Sequence, residues 1–196
     1  STVARYTDNY ILMLSGSKIF SYAGQRIAVV CMSEAVYDRH YKFLEEFYEM
    51  PAFGDAYIYG VLYCSSSGTA HSAQYALAAM MAAAVRGELN FVEHCSEYAR
   101  KAAKAKDIFV RNGFHIVYDM DGDQPIADGF FFTAGYRDMT ADELHKELLR
   151  YGVASISLYS AGSTRDGVRV CVSMIPDDMA FDKLERFLSK FNEDHK

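Results

Sequence analysis

Residues 10–32 constrain this chain more than any other stretch. Tyr10 to Leu14 is an apolar run that ends in Ser15-Gly16-Ser17-Lys18. A turn of small residues with Gly24 follows, and Arg26 opens a second apolar run that reaches Met32. Two short apolar segments around a polar, glycine-containing turn read as strand, turn, strand. One lysine and one arginine are thereby held where the first strand ends and the second begins. In the plainer reading both are solvated cations at strand ends. In the other they serve a ligand site. The turn is not a Walker A loop, because the spacing G-x-x-x-x-G-K is absent.

Ser15-x-Ser17-Lys18, followed by Phe20, Gly24 and Arg26, resembles the cofactor-lysine segment of class I/II (fold type I) aminotransferases dependent on pyridoxal 5'-phosphate (PLP). The chemistry of that cofactor explains the residue types. A lysine amine forms the Schiff base with its aldehyde. A guanidinium fork matches a phosphate dianion better than an ammonium does, and hydroxyls just before the lysine add neutral donors from the same turn. The resemblance implies that Lys18 is the catalytic, cofactor-bound lysine and that Ser15 and Arg26 bind the phosphate. Ser17 is a secondary candidate for the same role.

Composition sets the outer bounds. With 196 residues, 51% hydrophobic and 23% charged, the chain is globular rather than disordered, as one large or two small domains. A net charge of −6 gives no reason to expect a nucleic-acid partner. Cys31, Cys64, Cys95 and Cys171 are widely spaced and form no C-x-x-C, so free thiols are expected rather than disulfides or a metal site. The small-residue stretch Ala76–Val85 is too short and too alanine-rich to span a membrane. With no signal peptide recognised, the expectation is a cytoplasmic protein without a membrane partner.

Along the chain, Ser33 is expected to cap a helix from Glu34 to about Glu49, with Val36, Phe43, Leu44 and Phe47 as its stripe. Pro51 and Gly54 end it, and Asp55 to Cys64 fits either strand or helix. Ser65 to Ser72 is a polar turn before a helix from about Thr69 to Arg86. Ser66, Ser67, Thr69 and His71 there read as N-capping residues. In the resembled family the corresponding turn sits near the dimer interface. Asn90 is expected to cap the longest helix, about Phe91 to Asn112, with Gly113 as its C′ residue. Its cluster Arg100, Lys101, Lys104 and Lys106 reads as a solvated face.

Beyond Phe114 the pattern becomes strand, strand, helix, strand, strand, helix. Strands are expected at Phe114–Asp119, Gly129–Tyr136 (with Phe130, Phe131 and Phe132 buried), Val153–Tyr159 and Val168–Met174. Asp119 to Pro125 looks like a calcium loop only superficially, since no closing glutamate follows, and reads as a turn. Thr140-Ala-Asp-Glu143 is a capping box for a helix to Tyr151, stopped by Gly152. Asp177 or Asp178 caps the last helix, whose inner face is Met179, Leu184, Phe187, Leu188 and Phe191. This order describes a small antiparallel sheet covered on one side by helices.

Arg169 stands inside the apolar strand Val168-Arg-Val-Cys-Val172, where a guanidinium is costly unless it is paired or reaches a polar cleft. The resemblance implies that Arg169 clamps the α-carboxylate of an amino-acid substrate, with Arg165 as the fallback. The alternative is an arginine at a sheet edge, or one paired with Asp166 or Asp178. The family often has a Pro-Gly-x-x-Phe-Gly loop between the neighbouring strands. This chain has Ser155-Ile-Ser-Leu-Tyr-Ser-Ala-Gly-Ser163 instead, which leaves the substrate unnamed.

The fold class expected is α/β. Residues 1–90 would form the C-terminal part of the PLP-dependent transferase large domain. A long helix would join it to a small α+β domain over 91–196. The family's acid for the pyridine nitrogen, its ring-stacking aromatic and its phosphate-binding helix N-terminus are not found in residues 1–14. The expectation is therefore a fragment, inactive alone and poor at holding cofactor, whose residues 10–90 expose a sheet edge that invites oligomers. For the intact protein the resemblance implies a homodimeric enzyme transferring an amino group between an α-amino acid and a 2-oxo acid. Other fold type I reactions (a β-lyase, an acyl transfer) would use the same lysine. The effector domain of an aminotransferase-like transcription regulator, or a folded interaction domain without cofactor, are the readings from other classes.

Overall fold

The computed structural model describes residues 2–126 and 129–196. The chain divides into two compact units, residues 1–91 and 92–196.

In the first unit β1 (Ile11–Ser15) and β2 (Ala28–Met32) pair antiparallel, in register from Ile11 opposite Met32 to Ser15 opposite Ala28. Between them lie a single helical turn, α1 (Gly16–Ile19), and a 3-10 turn at Ala23–Gln25. The strands are joined by these turns instead of a tight hairpin loop, which places a polar, hydroxyl-rich segment at their end. After β2, Ser33 caps α2 (Glu34–Tyr37) by accepting the Val36 N–H at 3.1 Å.

The single helix expected as far as Glu49 is interrupted. α2 stops at Tyr37, and the chain resumes as α3 (Lys42–Tyr48). The break has a cause: His40 bridges Ala52, Tyr41 N–H donates to Pro51 O at 2.9 Å, and Phe53 N–H donates to Arg39 O at 2.9 Å. Donors that a continuous helix would use internally are spent on the returning chain. Phe43 and Phe47, expected to face a core, are 66% and 69% exposed and stack on each other at 5.7 Å. The returning segment is α4 (Phe53–Asp55), a π-helical stretch Ala56–Tyr63 and α5 (Cys64–Ser66). The stretch left open between strand and helix is thus helical.

α6 (His71–Val85) closes the unit. Ala73 and Leu77 are buried in a small core with Ile27, flanked by Phe20, Tyr22, Val29, Met80 and Met81. An alanine at the contact lets the helix backbone approach the hairpin closely.

The second unit starts on α7 (Phe91–Arg111), which ends where Gly113 takes φ +88, the left-handed cap expected of it. A four-stranded antiparallel sheet follows, with order β3 (His115–Ile116), β6 (Phe131–Gly135), β8 (Val168–Cys171), β7 (Ile156–Ser157). A separate hairpin, β4 (Met120–Asp121) with β5 (Gln124–Pro125), turns at Gly122. α8 (Ala141–Arg150) carries the complete Thr140–Glu143 capping box, and Asp177 caps α9 (Asp178–Asp194). One sheet face sends Phe132, Ala134, Val168, Val170 and Val172 into the core. There they meet Ile108 and Phe109 of α7, Leu144 and Leu148 of α8, and Phe181, Leu188 and Phe191 of α9.

The inner face of α9 runs through Phe181, Leu184, Leu188 and Phe191. Met179, five residues from Leu184 and off that stripe, is 77% exposed. Of the three consecutive phenylalanines only Phe132 is fully buried, because a strand alternates its faces.

Candidate active site

The end of the β1–β2 hairpin gathers four of the five residues singled out in the sequence. Ser15 and Ala28 form its last rung. Gly16 N–H then donates to Ile27 O at 3.1 Å, while Gly16 O accepts the N–H groups of both Phe20 (3.2 Å) and Tyr22 (3.1 Å). Gly16 is buried, and a Cβ there would stand 3.2 Å from Ile27 O, so the close approach of the two chain segments favours glycine. This local folding carries Ser17 and Lys18 on α1. Arg26, in the left-handed region at φ 50, sits on the opposite limb just before β2.

The electrostatics of this end are one-sided. Arg26 Nη1 donates to Ala23 O at 2.6 Å, which anchors the guanidinium on its own turn. Among the described residues no carboxylate pairs with Arg26, and the Ser15 and Ser17 hydroxyls make no hydrogen bond. Ser15, Lys18 and Arg26 are exposed and Ser17 is half-buried. An arginine without an acid partner and two hydroxyls without hydrogen bonds, carried at one end of the hairpin, are donors of the kind a phosphate ester takes. In residue type this set fits the phosphate end of PLP, and Lys18 lies on α1 of the same connection.

Arg169 belongs to the other unit. It lies on β8, between Thr133 of β6 and Ile156 of β7 in the ladder. Its guanidinium carbon stands 4.5 Å from the ring centroid of Phe131. Neither acid considered from the sequence pairs with it. Asp166 Oδ1 accepts from Ala141 N–H at 3.2 Å and from the Tyr159 hydroxyl. Asp178 is taken by Lys104 at 2.6 Å, and that ammonium holds the Asp178 carboxyl below its ordinary range. Arg165 is committed to the segment that follows β3: Nη1 donates to Val117 O at 3.1 Å and the guanidinium lies over the Tyr118 ring.

Phe131 was hidden inside the Phe130–Phe132 run. The signal that exposes it is the alternation that follows, in which Phe132, Ala134 and Tyr136 are buried while Phe131 and Thr133 face the other way. The serine-rich turn also behaves differently from its sequence reading. The Ser65 and Ser66 hydroxyls bond back to Leu62 O, at 3.3 and 2.6 Å, and α6 begins after Ala70 without a side-chain cap.

Among the described residues no helix is long and apolar enough to cross a membrane, and no group of His, Cys, Asp and Glu side chains is arranged to hold a metal ion. Comparison with curated proteins gives no match. The family model for aminotransferase class I and II matches residues 1–181 of the 196. The chain belongs to the class I and II aminotransferase family, whose members are generally PLP-dependent.

Proposed function

We propose that this chain supplies the cofactor lysine and the carboxylate clamp of a PLP-dependent aminotransferase acting between an α-amino acid and a 2-oxo acid. The observation that carries the proposal is the gathering of Ser15, Ser17, Lys18 and Arg26 at one end of the hairpin, with Arg26 paired to no acid among the described residues. Arg26, Ser15 and Ser17 bind the phosphate; Arg26 has fork geometry for two of its oxygens. Bound PLP supplies an electron sink for the charge left at the substrate Cα when a proton departs. Lys18 would take that proton from Cα as general base and deliver it as general acid to the former aldehyde carbon of the cofactor. Arg169 holds the α-carboxylate of the substrate by two parallel hydrogen bonds.

The rest of the reading is proposed with it. The active unit is a homodimer in the cytoplasm with no nucleic-acid or membrane partner, and residues 1–90 belong to the cofactor-binding large domain. An amino-acid and 2-oxo-acid panel tests the reading in the complete natural protein. Amino transfer that disappears in Lys18→Ala and loses substrate affinity in Arg169→Gln supports it. Transfer that survives Lys18→Ala at the wild-type rate overturns it.

A further inference from the structure

Arg169 presents a physical problem that its neighbours do not solve with charge. Arg169 is half-buried on the sheet face opposite the one that sends Val168 and Val170 into the core, and a guanidinium partly withdrawn from water calls for a partner. The residues facing it across the ladder, Thr133 and Ile156, are uncharged, and the Thr133 hydroxyl accepts the Tyr118 N–H at 2.9 Å. No salt bridge to Arg169 is present among the described residues. What stands against the cation is the ring of Phe131, 4.5 Å from its central carbon.

The ladder explains how the two meet. Phe131 pairs with Cys171 and Thr133 with Arg169, so Phe131 and Arg169 are diagonal neighbours on one sheet face. Diagonal positions lie about 7–8 Å apart at the backbone, a gap that an arginine spans. The ring is itself held: Phe130 meets it edge-on at 6.0 Å, and Tyr98 of α7 meets Phe130 edge-on at 4.3 Å.

We propose that Phe131 is the positioning residue for Arg169, orienting the guanidinium through the face of its ring so that the N–H donors stay available for a substrate carboxylate. This rests on the clamp role given to Arg169 above. A carboxylate partner would also have oriented the arginine, but by occupying its donors and cancelling its charge. The π face attracts the cation through its quadrupole and takes no N–H. The arginine is thus held in place and left unspent.

The test compares Phe131→Leu, which keeps apolar bulk on β6 and removes the π face, with Phe131→Tyr, which keeps both. In the full chain, NMR relaxation of the Arg169 Nε–Hε group, assigned by its loss in Arg169→Gln, reads the ordering directly. The group is expected to be rigid in the wild type and in Phe131→Tyr, and mobile in Phe131→Leu. In the complete natural protein, KM for the amino acid is expected to rise roughly fivefold in Phe131→Leu, the size of one such contact. There kcat is expected to change little, and Phe131→Tyr restores KM. An Nε–Hε group as rigid in Phe131→Leu as in the wild type overturns the proposal. So does an equal rise in KM for both variants. An unchanged KM in Arg169→Gln sinks the clamp reading instead, and the relaxation data still decide whether Phe131 orders the arginine.

Discussion

Ser15 and Ala28 are the last paired residues of the β1–β2 ladder, so the segments bearing Lys18 and Arg26 leave the hairpin at the same end. That shared exit, fixed by backbone pairing, makes a joint role for the two cations geometrically available. It also separates their contributions. Arg26, with its guanidinium on Ala23 O and no acid partner among the described residues, has fork donors that lysine cannot reproduce. Arg26→Lys and Arg26→Ala are both expected to weaken PLP binding in the complete protein, by about tenfold or more, as expected when a charge-assisted hydrogen bond is lost. Equilibrium dialysis of PLP against the variants checks this.

Gly167 takes φ +134 two residues before Arg169. A Cβ there would stand 2.8 Å from both Ala134 O and Val117 Cγ2. Backbone strain and a clash with main chain act together, so Gly167→Ala is expected to destabilise the chain by at least ~1–3 kcal/mol. Urea denaturation measures it, and the shift of β8 should appear as changed amide signals at Val168 to Cys171.

The Thr140–Glu143 box caps α8, with Thr140 N–H on Glu143 Oε2 at 3.0 Å. Thr140→Ala is expected to cost about 1 kcal/mol in denaturant-derived stability. A serine at the same position should recover most of it.

Acid should destabilise the chain through a nameable carboxylate. The Arg111 guanidinium, and then the Asn112 amide, hold Glu185 below its ordinary value of 4.5. Because its folded pKa is depressed, the stability it contributes is present above the ordinary glutamate range. That contribution is lost as pH falls through the lower folded value, since the unfolded chain takes up the proton first. Denaturation midpoints followed from pH 7 downward should fall less steeply in Glu185→Gln than in the wild type.

The second unit was read from its sequence more completely than the first, and the reasons are physical. Its helix ends carry local signals that need no tertiary context. Thr140 with Glu143, Asp177, Gly113 and Gly152 all mark termini where the structure has them. Strand lengths were overestimated, because hydrophobic alternation continues past the last hydrogen-bonded pair: Val153–Tyr159 yields only Ile156–Ser157. In the first unit, the break between α2 and α3 comes from pairing of His40 with Ala52, a contact between segments that no local pattern announces. The candidate site shows the same division between local and non-local signals. Lys18, Arg26 and the serines were legible because their spacing is local, whereas Phe131 became visible only when β6 and β8 fixed the register.

The most direct measurement of the central claim is to load the complete protein with PLP, reduce it with borohydride and locate the pyridoxyl group by mass spectrometry. The account predicts a single modified residue, Lys18, with no modification in Lys18→Ala and a reduced yield in Arg26→Ala. A pyridoxyl group carried by another lysine, or by none, would contradict it.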